Sequence, residues 1–155
     1  MLVENHTGRR VQVNIQPMVK NEVVNMRPTW TSGFNWKSYF RFPDVEVYKL
    51  CIVGSNRIEG AIALENRGDH MWVHLIEKNP MNRPPHDQYK YVAHHLFAFA
   101  CQRHMELGGN GFVAFEAKTE LISHYVKEYG AVQIGVSRMF IPDIVGRDLI
   151  GLYLY

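Results

Sequence analysis

A chain of 155 residues is long enough for one domain with a single hydrophobic core, and we predict one domain over residues 1–155. Hydrophobic residues make up 46% of the chain and charged residues 21%, which is an ordinary globular balance. The formal net charge of +2 comes without a Lys/Arg run longer than two residues, which argues against a nucleic-acid partner.

No stretch has the features of a membrane or export segment. No apolar run approaches the roughly 20 residues that a membrane-spanning helix needs, and MLVENHTGRR (1–10) lacks the apolar core of a signal peptide. Cys51 and Cys101 both lie in apolar runs. They could pair if the fold brought them together, but buried free thiols are the favoured interpretation. We therefore expect a cytoplasmic protein without a membrane partner.

The first half of the chain is dominated by predicted strands. RRVQVNIQPMV (9–19) alternates polar and apolar residues, which predicts a strand. Three more strands are predicted in close order at 45–54, 57–66 and 70–78. Their connections are short, so we expect an antiparallel meander.

Residues 25–44 separate the first predicted strand from the meander. They contain Pro, Gly and several aromatic residues without a clean period, which predicts a loop with one or two helical turns. Trp30, Phe34 and Trp36 could cover a cleft, but packing in the core is the simpler role.

A loop and a helix follow the meander. The prolines of NPMNRPPH (79–86) interrupt regular structure, and residues 88–107 are predicted to form a helix. The glycines of 108–111 end that helix. One of its faces is marked by Val92, Leu96, Phe99 and Arg103.

The C-terminal third alternates strands and helices. Residues 112–117 form a strand, and reaching it through a helix predicts a β-α-β crossover with parallel pairing. A helix over 119–131 is predicted to have Thr119 as its N-cap. Residues 132–142 form one strand or a bent pair, and 143–155 a terminal helix. The apolar stripe of the 119–131 helix consists of Leu121, Ile122, Tyr125, Val126 and Tyr129.

This order predicts an α/β (α+β) fold. A three-strand meander is followed by helix, strand, helix and strand, and such elements pack as a mixed, twisted sheet with helices on both faces.

Two stretches in this order resemble the GNAT (Gcn5-related N-acetyltransferase) superfamily. HLIEKNPMNRPPHDQYKYVAHHL (74–96) is similar to the family's strand, pyrophosphate loop and helix, with a degenerate loop motif. GFVAFEAKTELISHYVKEYGA (111–131) is similar to its later strand and helix. The NPxN and AKTxLIxHY stretches also resemble a bacterial branch of acetyltransferases. The resemblance covers roughly residues 45–141 and implies a single GNAT-like domain.

The first motif has a physical basis. Backbone N–H groups at a helix start lack partners and, with the helix dipole, bind pyrophosphate. In the family this loop holds the pyrophosphate of acetyl-CoA. Gln88 and Ala93 match the family pattern, but Tyr91 stands where glycine is expected. We expect Tyr91 to adopt helical dihedral angles without strain. Its ring then either covers the amides, stacks on the cofactor or donates its hydroxyl to phosphate.

The resemblance implies the site residues. Tyr125 would protonate the departing thiolate, with core packing as its alternative role. Glu77 would be the general base, directly or through water, with an ion pair to Lys or Arg as the alternative. Lys118 would reach the cofactor or end a solvated strand. The residues implied to bind acetyl-CoA are Leu75, Ile76, Gln88, Tyr89, Lys90, Tyr91, Val92, Ala93, His94, His95 and Lys118.

The function implied is an acetyl-CoA-dependent N-acetyltransferase. It would move an acetyl group to a small-molecule or peptide amine by direct attack, with acetyl-CoA in the splay between the strands at 70–78 and 112–117. The alternative is a non-catalytic member that binds acyl-CoA or a protein partner without turnover. A third hypothesis, a small-molecule binding module unrelated to CoA, depends on the aromatic segment 30–42.

No metal is expected. His70 and His74 share a strand face, but no third ligand is evident and no Cys-x-x-Cys or His-Glu-x-x-His spacing occurs. A homodimer is one use of an exposed sheet edge or of the apolar tail LIGLYLY (149–155), which could equally complete the core.

Overall fold

The computed structural model describes residues 1–26, 30–31 and 34–155. Its strands are β1 (Leu2–Glu4), β2 (Arg10–Val11), β3 (Val13–Pro17), β4 (Val45–Ile52), β5 (Ile58–Asn66), β6 (Met71–Lys78), β7 (Tyr89–Lys90), β8 (Val113–Glu116), β9 (Val132–Gln133) and β10 (Arg138–Ile141). Its α-helices are α1 (Val92–Glu106), α2 (Ile122–Tyr129) and α3 (Asp143–Tyr153). Short 3-10 helices cover Lys20–Met26, Trp36–Arg41, Pro80–Asn82 and Thr119–Leu121.

The strands form a mixed seven-stranded sheet in the order β3-β4-β5-β6-β8-β10-β9. β6 and β8 pair in parallel, with Met71 opposite Val113 and Val73 opposite Phe115, and α1 makes the crossover between them. β3 pairs antiparallel with β4, and β10 pairs antiparallel with both of its neighbours. A second sheet has the order β2-β1-β7. The predicted mixed sheet and its β-α-β crossover are therefore confirmed.

The described chain divides into two compact units, and both contain fully buried side chains. The first holds 1–63 and 75–96, and the second holds 64–74 and 97–155. The single domain thus stays a prediction. In the first unit Trp30 and Trp36 are 7% and 3% exposed and belong to the core, which confirms core packing as their role. Phe34 is 36% exposed.

Several element boundaries differ from the prediction. The strand predicted over 9–19 is two strands that separate at Gln12, because β2 pairs with β1 while β3 pairs with β4. The 25–44 segment has 3-10 turns as predicted, but residues 27–29 and 32–33 lie outside the described residues. Residues 132–142 form the predicted bent pair, β9 and β10.

Two helix details were wrong. Thr119 does not cap an α-helix: it opens a 3-10 turn, and α2 begins at Ile122 with Leu121 as its N-cap. On α1, Phe99 and Arg103 are half-buried. Val92 and Leu96, the other two residues of the predicted face, are buried in the first unit. In the second unit the fully buried residues of α1 are Phe97, Ala98, Ala100, Cys101 and His104.

The buried His104 ring has a hydrogen-bond partner at each of its two nitrogens. Its Nδ1 accepts from the Gly111 N–H at 3.0 Å, and its Nε2 donates to the Gly68 carbonyl at 2.8 Å. A Cβ on Gly109 would lie 2.2 Å from the ring. Gly109 is therefore needed for the close approach to His104.

Candidate functional site

The backbone at Tyr91 is left-handed, with a φ of +76°. The predicted helix start at 88 is therefore wrong: Tyr89 and Lys90 are extended and pair with β1, and α1 begins only at Val92. The expectation that Tyr91 adopts helical angles is wrong for the same reason. A bulky residue with positive φ is strained, whereas glycine adopts this conformation freely. Position 91 thus has a backbone conformation that favours glycine although it carries a tyrosine.

His95 fixes this backbone from one turn further along α1. Its amide and its Nδ1 both donate to the Tyr91 carbonyl, at 3.1 and 2.6 Å. Burial lowers the pKa of His95 to about 4, so the ring is neutral at physiological pH. A neutral ring that donates from Nδ1 accepts at Nε2, where the Met1 nitrogen lies 3.1 Å away. The ring is 0% exposed, so it orients the loop from within.

Two of the backbone amides predicted to bind pyrophosphate already donate hydrogen bonds within the protein. The Gln88 amide donates to the Met81 carbonyl at 2.9 Å, and the Tyr89 amide donates to Asn82 Oδ1 at 3.0 Å. The first turn of α1, residues 92–94, has N–H groups without an acceptor inside the helix. Of the predicted segment Gln88–His95, this first turn is the best placed to bind an anion through its backbone.

The ring of Tyr91 lies at the surface beside this turn. It is 40% exposed and meets the His94 ring edge-on, with 5.3 Å between centroids. Lys90 is exposed, Ala93 is half-buried and Val92 is 1% exposed in the core. Tyr91 therefore stays compatible with either covering the amides or contacting a ligand, and its binding role stays a prediction.

A buried polar network holds the loop before α1, and no part of it except Gln88 was predicted. Arg57 donates to both carboxylate oxygens of Glu59 at 2.8 Å, and its Nη2 also donates to Gln88 Oε1 at 2.8 Å. Asn82 Nδ2 donates to Glu59 Oε1 at 2.9 Å. The Glu59 side chain is 1% exposed. Gln88 thus anchors its loop to β5 through Arg57.

Asn79 completes this anchoring on the β6 side of the loop. Its side chain accepts from the Met81 amide and donates to the Ile58 carbonyl, both at 2.9 Å. A signal for the network is present in the sequence: Arg57 and Glu59 are two residues apart, so they lie on the same face of a strand. The two asparagines of NPxN are its other members.

Glu77 is buried, and each of its two carboxylate oxygens accepts a hydrogen bond. Oε1 accepts from Trp36 Nε1 at 2.8 Å, and Oε2 accepts from the Thr31 amide at 2.8 Å. Arg83 Nη2 lies 3.5 Å from Oε2, which is the ion pair considered as the alternative role. Glu77 therefore fastens the aromatic segment to β6. Its role as a general base stays a prediction.

The remaining predicted cofactor contacts lie at strand ends. Leu75 and Ile76 are half-buried on β6 in the first unit, next to Glu77. In the second unit, Lys118 is exposed and directly follows the end of β8, where it precedes the Thr119–Leu121 turn. The structure brings Leu75, Ile76 and Gln88–His95 into one unit and places Lys118 in the other.

Tyr125 packs in an aromatic cluster of the second unit. Its ring centroid is 4.9 Å from that of Phe115, 5.7 Å from that of Tyr129 and 6.2 Å from that of Phe97. Burial raises the pKa of Tyr125, so its hydroxyl keeps its proton at neutral pH. Packing and proton donation are therefore compatible, and its catalytic role stays a prediction.

The described residues hold neither a metal-binding group nor a membrane-spanning helix, and their two cysteines are free thiols. Within 1–26, 30–31 and 34–155, no group of three or more His, Cys, Asp or Glu side chains is arranged to hold a metal ion. Across that same part of the chain, no helix combines the length and apolar character that crossing a bilayer requires. Cys51 and Cys101 are both buried free thiols, as predicted.

We expect the strain at Tyr91 to reverse the usual order of alanine and glycine. Both Tyr91→Ala and Tyr91→Gly remove the ring, but only glycine removes the Cβ that opposes a left-handed backbone. The glycine variant should be more stable than the alanine variant by about 1 kcal/mol. In ordinary extended or helical backbone, glycine is the less stable by about 0.5–1 kcal/mol. Urea denaturation of the pair measures this difference, and an alanine variant of equal or greater stability would contradict the strain.

The fold is shared by solved structures of low sequence identity. An N-acyl amino acid synthase from uncultured soil microbes has a TM-score of 0.62 and 12% identity, over 92% of this chain and 97% of that one. A Bacillus subtilis acetyltransferase in complex with CoA has a TM-score of 0.55 and 9% identity, over 85% and 98%. A GNAT-family acetyltransferase from Staphylococcus aureus Mu50 has 0.58 and 10%, over 83% and 98%. No protein-family model matches the chain, and no curated protein matches it significantly.

Proposed function

We propose that this chain, which has the GNAT fold, is an acetyl-CoA-dependent N-acetyltransferase that acts on a primary amine. The observation that carries the proposal is the left-handed backbone of Tyr91, immediately before α1. Tyr91 stands where the pyrophosphate motif has glycine, the residue that adopts this conformation freely, and the conformation is kept here despite a side chain that opposes it. Strained backbone is retained where the surrounding structure enforces it, and functional sites are where it concentrates.

The residues of the first unit would hold the cofactor. The first-turn amides of Val92, Ala93 and His94 would bind the pyrophosphate, assisted by the helix dipole. The backbone of Leu75 and Ile76 on β6 would pair with the pantetheine arm. Acetyl-CoA supplies the acetyl group as a thioester. The first turn fits a pyrophosphate because N–H groups at the start of a helix point out of it and have no acceptor within the helix itself. The loop before this turn is held in place by the Arg57–Glu59 network.

In the proposed reaction the acceptor nitrogen attacks the thioester carbonyl carbon. A C–N bond forms, the C–S bond breaks, and no covalent enzyme intermediate is required. The amine proton leaves to a base, for which Glu77 is proposed directly or through water. Tyr125 would give its proton to the departing thiolate. Lys118 would add a positive charge near the cofactor.

Calorimetric titration with acetyl-CoA and with CoA tests the proposal. We expect wild-type protein to bind acetyl-CoA with a Kd on the order of micromolar, about −8 kcal/mol. Because the Tyr91 backbone already has the positive φ that glycine adopts freely, Tyr91→Gly should change that Kd by less than about tenfold. A screen of primary amines should then show acetyl-CoA-dependent release of CoA.

The outcomes separate the proposal from its rivals. Binding by Tyr91→Gly alone would mean that the exposed tyrosine ring closes the site, and the non-catalytic alternative would then be preferred. Absence of binding by both folded proteins would rule out the cofactor assignment and leave only the fold. Binding without turnover on any amine would favour an acyl-CoA-binding protein. The cytoplasmic location, the bacterial source and a homodimer stay predictions.

A further inference from the structure

A cavity of about 900 Å³ opens in the first unit, and none of its described lining residues belongs to the loop before α1. Its described lining residues come from the start of the Lys20–Met26 turn and from the Trp36–Arg41 turn. They are Val19, Lys20, Asn21, Val23, Val24 and Lys37. Small-molecule pockets typically measure about 300–1,000 Å³. The cavity therefore has the volume of a small-molecule site.

The apolar part of the lining is unusually exposed. Val19 and Val24 are 56% and 69% exposed, whereas Val23 is 6% exposed and joins the core cluster. The turn thus directs one valine into the core and leaves two on its open side. Burying such side chains against an apolar chain gains roughly 25 cal/mol per Å². This surface would favour an aliphatic or similarly apolar group.

The described charged residues that line the cavity are both positive. Of the lining residues that the structure describes, Lys20 and Lys37 carry ammonium groups and none carries a carboxylate. Within residues 1–26, 30–31 and 34–155, neither ammonium has a hydrogen bond or ion pair to another side chain. The nearest acid in sequence, Glu22, is already engaged: it accepts from the Val19 amide at 2.9 Å and pairs with Lys49.

The position of Lys37 links this cavity to β6. The preceding residue, Trp36, is 3% exposed, and its indole N–H donates to the Glu77 carboxylate at 2.8 Å. One wall of the cavity is therefore held by the residue proposed as the base. A ligand that ordered this wall would act on the same turn that Glu77 fastens.

From this combination we propose that the cavity binds a small amphipathic organic anion, with an aliphatic chain on Val19 and Val24 and a carboxylate between Lys20 and Lys37. The proposal does not depend on acetyl transfer, since none of these residues belongs to the proposed acetyl-CoA site. A chain that failed to bind acetyl-CoA could still bind such an anion.

Titration with decanoate in the absence of acetyl-CoA tests the site, with decanol and decyltrimethylammonium as neutral and cationic probes of similar chain length. We expect decanoate to bind and the other two to bind at least about tenfold more weakly. Lys20→Met with Lys37→Met should weaken decanoate about tenfold, and salt near 1 M should weaken it too. Lys127→Met is the matched control, because Lys127 is an exposed lysine on α2 in the second unit.

A second variant tests the apolar half of the site. Val24→Asp should abolish decanoate binding, and its fold should survive because Val24 is 69% exposed. Circular dichroism and urea denaturation check that each variant is folded. Absence of decanoate binding by wild type, equal binding of the three probes, or unchanged binding by the double lysine variant would each overturn the proposal.

Discussion

Replacing Arg57 by methionine should destabilise the protein by about 1–3 kcal/mol, because it removes the main hydrogen-bond partner of a buried carboxylate while the arginine itself is 38% exposed. Arg57 supplies both hydrogen bonds of a bidentate contact to Glu59, whose side chain is 1% exposed. Without Arg57, the carboxylate keeps only its Asn82 partner among these contacts. Urea denaturation at neutral pH measures the loss.

The same change should loosen the loop before α1. Arg57 is the donor that holds the Gln88 side chain, and Asn82 holds the Tyr89 amide from the other side of Glu59. Freeing this loop should raise the Kd for acetyl-CoA by about tenfold, or about 1.4 kcal/mol. Calorimetry at a temperature where the variant is fully folded separates this effect from unfolding.

Two further variants test whether the loss of stability comes from the Arg57–Glu59 pair. Arg57→Met combined with Glu59→Leu removes both charges and should recover much of the lost stability, because paired apolar replacements of a buried ion pair are often nearly neutral. Arg9→Met removes an exposed arginine that lies 3.7 Å from Glu4, and it should cost less than about 1 kcal/mol. A double variant less stable than Arg57→Met alone would show that the pair is not the source of the loss.

The sequence predicted the parts of the fold that depend on neighbouring residues, and it did not predict those that depend on residues distant along the chain. The strands at 45–52, 58–66 and 71–78 were predicted within a few residues, because alternation and short connections are local signals. The split at Gln12 depends on two different partners, β1 and β4, and nothing within RRVQVNIQPMV indicates that choice. Long-range pairing decided that boundary.

In the candidate site, too, local sequence predicted some features and long-range contacts determined the others. The motif predicts a helix from residue 88, yet Tyr89 and Lys90 pair with β1, which is far away in sequence. Tyr91, with its positive φ, lies between β7 and the start of α1. The burial of Glu59 and Glu77 likewise depends on partners 23 and 41 residues away, Asn82 and Trp36. The motif located the loop, but the side chains that hold it came from distant strands and turns.

Replacing Tyr125 by phenylalanine should lower kcat by about 10²–10⁴-fold if Tyr125 is the proton donor, which is the usual contribution of a general acid. The ring would keep its contacts with Phe115 and Tyr129, at 4.9 and 5.7 Å, so the aromatic cluster is preserved. The KM for acetyl-CoA should change little, since only the hydroxyl is lost. Steady-state kinetics with an amine found in the screen measures both constants.

The pH profile and a matched variant decide whether the hydroxyl acts chemically. Burial raises the pKa of Tyr125 above its ordinary value, so the donor form persists through neutral pH and is lost only as pH rises above about 10. Wild-type kcat should therefore show no alkaline fall due to this group below that pH.

Tyr129→Phe removes a hydroxyl from the same cluster, one turn along α2, and should leave kcat nearly unchanged. Equal kcat for Tyr125→Phe and wild type would assign Tyr125 to packing alone, because the phenylalanine ring reproduces every cluster contact and lacks only the proton.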